Sequence, residues 1–112
     1  MSKEIVFVKF SPSTNPKKKL MAQFFDKEGK KVKTTHFGSK PNKDFTIYSK
    51  ESKEKANTER NKYIARHKVR EDWSQSGKTS AGALSRYVLW EKPTVQGGKQ
   101  AYARQYGLKI KK

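Results

Sequence analysis

The chain has 112 residues and carries 27 Lys and Arg against 10 Asp and Glu, so its formal net charge is +17. Hydrophobic residues make up 32%, below the roughly 45–50% of ordinary globular domains, so we expect one small domain over residues 1–112 with a modest core. Cysteine is absent, which excludes disulfides, thiolate zinc sites and cysteine nucleophiles. The N-terminal apolar run is too short for a signal peptide, and no segment approaches the roughly 20 apolar residues that span a bilayer. We therefore expect a soluble protein that is not secreted.

Residues 1–49 have the composition of strands and loops. Three segments, Glu4–Phe10, Lys19–Asp26 and Lys31–Phe37, are rich in branched and aromatic side chains, and turn-forming residues separate them. Phe45–Ser49 is a fourth short apolar run. These segments predict a small antiparallel sheet of about four short strands.

Residues 50–106 have the composition and period of helices. No glycine or proline occurs from Lys50 to Asp72, and Ser49 or Ser52 can act as the N-cap of a long helix. Its apolar stripe is narrow, so we expect this helix to lie on one surface and to expose its Lys and Arg side chains.

Two shorter helices are predicted after the long one. Thr79 or Ser80 can cap the first of them, and Pro93 ends it. The segment 100–106 can form a last short helix that stops at Gly107.

The fold class that follows is α+β, a small antiparallel sheet followed by two or three helices, with basic extended ends. Residues 107–112 are predicted to form the basic tail at the C-terminal end.

A Gly-Lys-Thr triplet at Gly77–Thr79 resembles the end of a phosphate-binding loop. The full pattern requires a glycine at position 72 on a loop after a strand, and Asp72 stands there after a predicted helix. We therefore predict a flexible loop followed by a capped helix. Lys78 and the free N–H groups of that helix start remain candidates for holding one isolated phosphate.

His67 and Glu71 are one helical turn apart, but the chain has only two histidines, and a zinc site usually needs three or four protein ligands. We predict no metal, no cofactor and no catalytic residue, and a His67 partly buried against Tyr63 or Trp73. The carboxylates of Glu71 and Asp72 are expected to pair with nearby cations. Those cations are Arg66, Lys68 or Arg70.

The basic residues form three blocks, one in the strand region, one along the long helix and one at the C-terminal end. Lysine dominates the outer blocks, which favours sequence-independent attraction to a polyanion over the reading of bases. The candidate contact residues are Lys17, Lys18, Lys19, Lys30, Lys31, Lys33, Arg60, Lys62, Arg66, Lys68, Arg70, Lys78, Arg86, Lys99, Arg104, Lys109, Lys111 and Lys112.

Aromatic side chains are interspersed with this charge. The phenylalanines of the strand region are expected to be mostly core, because a chain with few apolar residues has no better use for them. They include Phe7, Phe10, Phe24 and Phe25. Tyr102 and Tyr106 are the better candidates for an exposed contact, by stacking on bases or by docking on protein.

The sequence from Tyr63 to Pro93 resembles a family of short, highly basic proteins of large nucleocytoplasmic DNA viruses. The matching positions are Arg66, His67, Arg70, Glu71, Trp73, Gly82, Leu84, Ser85, Arg86, Leu89, Trp90 and Pro93. The resemblance implies viral origin and a late or virion-packaged product, and it supplies no catalytic residue.

In physical terms the same segment resembles a folding unit. We expect Trp73 and Trp90 to clamp the two helices together, with Gly82 allowing close approach. Leu84 and Val88 complete the predicted core of this unit.

These observations predict a non-enzymatic, virion-associated structural protein that binds nucleic acid, DNA before RNA, largely without regard to sequence. The alternative is a minor capsid or cement protein that docks on acidic capsid proteins. A metal-dependent enzyme that processes nucleic acid is a third reading, for which the adjacent carboxylates of Glu71 and Asp72 are the available ligands. We expect the protein in the virion, and in the host cytoplasm or nucleus during assembly, with no membrane or small-molecule partner.

Overall fold

The computed structural model describes residues 4–40 and 42–111, which form a four-stranded sheet and four helices, an α+β fold as the sequence predicts. In chain order the elements are β1 (Ile5–Pro12), β2 (Lys18–Asp26), β3 (Lys31–Ser39), α1 (Phe45–Glu51), α2 (Lys53–His67), a 3-10 turn (Gln75–Gly77), α3 (Ala81–Leu84), a π-helical turn that continues α3 (Ser85–Leu89), α4 (Val95–Tyr106) and β4 (Lys109–Ile110).

The sheet has the strand order β3-β2-β1-β4. β1, β2 and β3 pair antiparallel as predicted and form a meander, whereas β4 runs parallel to β1, so the whole sheet is mixed. Phe7 pairs with Lys109, and Val8 pairs with Ile110. Residues 109–110 of the predicted basic tail are therefore held in the sheet by backbone pairing with β1.

The predicted fourth strand, Phe45–Ser49, is helical instead and forms most of α1. The carboxylate of Asp44 accepts the backbone N–H groups of Thr46 and Ile47 at 2.9 and 3.2 Å. Lys19 Nζ binds the other oxygen of Asp44 at 2.7 Å. This N-cap, fixed by an ion pair to β2, outweighs the strand preference of a short apolar run.

α2 begins after Ser52, one of the two predicted N-caps, whose hydroxyl accepts the N–H of Lys55 at 3.3 Å. It ends at His67, although the run without glycine or proline extends to Asp72. Its buried residues are Ala56 and Tyr63, so only a narrow side of the helix contacts the core, as expected.

α4 begins at Val95, earlier than the predicted start of the last helix, and Thr94 is its N-cap. The two glycines inside it allow a close approach, because a Cβ on Gly98 would lie 2.0 Å from the carbonyl oxygen of Val88. The predicted helix over 100–106 leaves both glycines outside it, although the packing of α4 on the π-helical turn requires the glycine at position 98. The helix ends at Gly107 in the left-handed conformation, as predicted.

The core lies between one face of the sheet and the helices. Its fully buried members are Val8, Ala22, Phe24, Phe37, Ala56, Ala83, Leu84, Val88 and Tyr102. Trp90 is also buried and stacks on Tyr63 with ring centroids 4.4 Å apart. Within the described ranges, no helix combines the length and the apolar composition that crossing a membrane requires.

The two tryptophans contact different partners. Trp90 stacks on α2 through Tyr63, whereas Trp73 is only partly buried and donates Nε1–H to Glu71 at 2.9 Å. Gly82 does allow a close approach, but to a carboxylate: a Cβ there would lie 2.7 Å from Cδ of Glu71. The segment is therefore a folding unit in which Glu71 links Trp73 to Gly82, a contact that the sequence pattern does not indicate.

Removing the carboxylate that caps α1 separates its two contributions to stability. We expect Asp44→Ala to lower the free energy of unfolding by about 1–2 kcal/mol, because two N–H groups lose their acceptor. Asp44→Asn keeps one oxygen acceptor for the two N–H groups but, like Asp44→Ala, loses the charge and the acceptor of Lys19, so its loss is expected to be smaller by the capping contribution. Urea unfolding of both variants measures the difference, and equal losses would contradict the capping role.

Candidate functional site

β1 and β2 are the central strands of the sheet, and their side chains alternate between its two faces. Val8 and Phe24 are register partners that point toward the helices, and both are fully buried. Their neighbours Phe7 and Phe25 are also register partners, so their side chains lie next to each other on the opposite face. Both residues are half-buried, and neither belongs to the buried core.

Lysines surround these two rings. Lys31 pairs with Phe25 and Lys109 pairs with Phe7, so one row across the sheet has the order Lys31, Phe25, Phe7 and Lys109. Lys111 extends over both rings, with Nζ 4.7 Å from the centroid of Phe25 and 5.9 Å from that of Phe7. We call these five residues the Phe7/Phe25 face.

Two arginines that the sequence assigns to polyanion contact are held by Glu91. Arg60 Nη2 and Arg86 Nη1 lie 2.8 and 2.6 Å from its Oε1. Burial acts to raise the pKa of Glu91, but the guanidinium groups of Arg86 and Arg60 outweigh it and hold that pKa below its usual range. Arg86 also lies 5.5 Å from the ring centroid of Trp73. One partly exposed carboxylate therefore already pairs with both arginines.

Two predicted lysines are also paired. Lys19 binds Asp44 at 2.7 Å, and Lys62 lies 3.5 Å from Glu59. The other predicted cations have no carboxylate partner within residues 4–40 and 42–111, and Lys112 lies outside the described residues. The cations without such a partner are Lys17, Lys18, Lys30, Lys31, Lys33, Arg66, Lys68, Arg70, Lys78, Lys99, Arg104, Lys109 and Lys111.

Tyr102 and Tyr106 are not exposed, and the prediction that they form an outer contact was wrong. Their relative exposures are 0% and 4%. The hydroxyl of Tyr102 donates to the carbonyl of Lys78, and that of Tyr106 donates to the carbonyl of Trp73 at 2.8 Å. Burial raises the pKa of both hydroxyls well above the usual range. Both rings therefore anchor α4 to the loop that precedes α3.

The Gly-Lys-Thr triplet is part of that loop and not of a phosphate-binding loop. Gly77 ends a 3-10 turn and follows no strand. Thr79 packs on the sheet: its hydroxyl accepts from Lys33 Nζ at 3.0 Å, and its carbonyl accepts from the Thr35 hydroxyl at 2.8 Å. The backbone of Lys78 is likewise engaged by Tyr102.

Glu71 binds His67 and Trp73 rather than the predicted basic neighbours. His67 stacks on Tyr63 with centroids 4.2 Å apart, which confirms its predicted placement, and its Nδ1 lies 3.1 Å from Glu71 Oε1. Asp72 instead accepts hydrogen bonds from Ser74 and Ser76, which lower its pKa. The two adjacent carboxylates therefore have separate structural partners.

A cleft of about 500 Å³ opens beside His67 and Glu71. Both signs of charge line it: Lys18, Lys43 and Arg66 are cations, and Glu59 and Glu71 are carboxylates. Such mixed charge selects no class of ligand. Across the part of the chain that the structure describes, no three His, Asp or Glu side chains lie close enough together to hold a metal ion.

Sequence reasoning missed the Phe7/Phe25 face because it assigned the strand phenylalanines to the core as a group. Phe10 does contact the core, with its ring 6.4 Å from that of Phe37. The signal that separates them is adjacency, because Phe24 and Phe25 are consecutive residues of one strand and must point to opposite faces.

Comparisons of this chain with models of protein families, with curated proteins and with solved structures found no match. The resemblance to basic viral proteins therefore stays an expectation, and the functional argument rests on the chain's own residues.

The ion pairs of Glu91 predict a specific dependence of stability on pH. We expect Glu91→Gln to lower the free energy of unfolding at pH 7 by about 1–2 kcal/mol, a range that allows for solvent screening of a partly exposed group. Because the folded pKa lies below the ordinary 4.5, the ionised carboxylate stabilises the fold above that pH, and this contribution is lost as the pH falls through the folded pKa.

Urea unfolding of both proteins at pH 7 and at pH 3 measures this effect. The difference in the free energy of unfolding between wild type and Glu91→Gln is expected to shrink at the lower pH. Glu28→Gln removes an exposed carboxylate and is the matched control, for which we expect little change. A difference for Glu91→Gln that stays constant with pH would contradict the ion-pair assignment.

Proposed function

We propose that this chain is a non-enzymatic protein that binds nucleic acid largely independently of sequence. The observation that carries the proposal is that only a few of the predicted contact cations are paired with carboxylates inside the fold. Asp44 and Glu91 hold cations that stabilise the structure, whereas most of the predicted contact cations have no carboxylate partner in the described ranges. An external polyanion is the partner that balances them.

Counterion release supplies the binding free energy in this proposal. Each phosphate neutralised by a lysine or arginine frees a condensed counterion, so affinity depends steeply on salt. Exposed lysines suit such binding, because an ammonium group is a point charge that imposes no fixed geometry on its partner. The resemblance to basic viral proteins extends the proposal to a virion-associated protein that neutralises packaged nucleic acid.

A minor capsid or cement protein is the competing proposal, because an acidic protein surface would also balance the charge. The Phe7/Phe25 face favours nucleic acid over that alternative. An unpaired nucleotide supplies a phosphate together with a flat aromatic base, which matches both the lysines and the rings of this face.

The salt dependence of binding tests the proposal. We expect the logarithm of the association constant, measured by fluorescence anisotropy on a labelled DNA duplex and on RNA, to fall steeply with the logarithm of salt concentration. On duplex DNA each phosphate contact adds about −0.9 to the slope. A polyacidic peptide is expected to compete poorly at equal charge. A slope near zero would eliminate the function, and equal competition would favour docking on acidic protein.

A matched pair of triple variants tests whether unpaired cations carry the contact. Changing Arg66, Lys68 and Arg70 to Gln removes three exposed charges, without carboxylate partners in the described ranges, from the last turn of α2 and the turn that follows it. We expect the duplex slope to become shallower by up to about 3. The control removes three charges from lysines with carboxylate partners, which are Lys43, Lys55 and Lys62. Its slope is expected to change less, and equal effects would mean that net charge alone sets the affinity.

A further inference from the structure

We infer that the Phe7/Phe25 face binds single-stranded nucleic acid by stacking unpaired bases on its two rings. The inference rests on the proposed function and deepens it by naming the strand state of the partner and the surface that selects it. Three properties of the face support it: the position of the rings, the placement of the lysines and the state of Lys111.

The rings occupy the centre of the sheet. Phe7 lies on β1 and Phe25 on β2, the two central strands, and they are directly opposite in register. Side chains paired in this way have Cβ atoms about 5 Å apart, so two neighbouring bases of one strand can each reach a ring. Aromatic residues on neighbouring strands of an open sheet are a known means of stacking two or three bases.

The lysines lie where the backbone of a bound strand passes. Lys31 on β3 and Lys109 on β4 end the row that contains the two rings, and strands about 4.8 Å apart place them about 14 Å from each other. Lys9 adds a further cation on the same face, two residues after Phe7 along β1 and opposite Gln23. Each end of the row therefore offers a charge to a phosphate while the centre offers aromatic surface.

The ammonium group of Lys111 can be displaced from the two rings by a ligand. Its ammonium lies over both rings, and a cation–π contact at an exposed position is weak. No carboxylate holds it among the described residues. A base that stacks on Phe25 takes the place of the ammonium, which remains close enough to pair with the phosphate of the same nucleotide.

A duplex cannot use this face in the same way. Its bases stack on each other within the helix and present only their edges in the grooves, so their flat surfaces are not available to a ring. A second copy of the chain is also a poor occupant, because each copy carries a net charge of +17 and the face is bordered by lysines. The combination of rings and cations therefore selects unpaired nucleotides.

The test compares a labelled 20-nucleotide oligo-dT with a DNA duplex of 20 base pairs by fluorescence anisotropy. We expect the double variant Phe7→Leu/Phe25→Leu, which keeps apolar side chains, to lose at least about tenfold in affinity for oligo-dT, because stacking stabilises each bound base. Affinity for the duplex is expected to stay within about twofold of wild type. Phe7→Tyr/Phe25→Tyr keeps both rings and is expected to retain binding of oligo-dT.

Each other outcome overturns the inference in a distinguishable way. If the Leu variant binds oligo-dT as wild type does while binding remains steeply salt-dependent, the inference fails and the proposed function stands. If wild type binds neither ligand at low salt, both fail. If light scattering shows a dimer that the Leu variant abolishes, the face is a self-interface instead.

Photocrosslinking with wild-type protein covers the case in which a variant does not fold. Oligonucleotides that contain 5-iodouracil are irradiated in the complex, and the linked peptides are identified by mass spectrometry. We expect crosslinks at Phe7 and Phe25. Crosslinks confined to other aromatic residues would overturn the inference.

Discussion

Ten carboxylates have to order a chain that carries 27 cations, and this shortage is the constraint on which the structure depends. The carboxylates at the centre of the fold have structural partners: Asp44 caps α1 and binds Lys19, Glu91 binds two arginines, and Glu71 binds His67 and Trp73. The other seven carboxylates face 24 further cations, so most surface lysines of the described ranges have no carboxylate partner. The same scarcity therefore produces an ordered core and a surface that attracts anions.

The sequence allows the three-stranded meander, the N-cap of α2 and the end of α4 to be predicted, because each depends on local features such as alternation, a capping serine or a glycine in the left-handed conformation. Two elements depend on distant contacts and were missed. α1 forms because its N-cap Asp44 is oriented by Lys19 on β2. β4 forms because the end of α4 places Lys109 and Ile110 beside the edge of β1. No property of those two residues alone distinguishes a strand from a basic tail.

The candidate site was predictable in its charge and unpredictable in its aromatic part. Composition indicates a polyanion partner, and the lysines of the two ends were named from the sequence. Composition does not show which cations are neutralised internally, because Arg60 and Arg86 meet Glu91 only after the helices pack. The rings of Phe7 and Phe25 were assigned to the core, but the helices cover only the opposite face of the sheet. Which faces of a sheet are covered is a tertiary property, and the sequence of a single strand does not encode it.

Tyr102 and Tyr106, which the sequence assigned to the surface, are buried and help to position the chain segment that carries Lys109 and Lys111. Tyr102 and Tyr106 tie α4 to the loop before α3 through hydrogen bonds to backbone carbonyls. This fixes the position of Gly107, where the chain turns into β4. The backbone N–H of Lys111 then donates to the carbonyl of Val8 at 2.8 Å, which holds the end of the chain beside β1 and lets its side chain reach both rings. Buried aromatic groups therefore position the cations, and half-buried aromatic groups form the surface that those cations border.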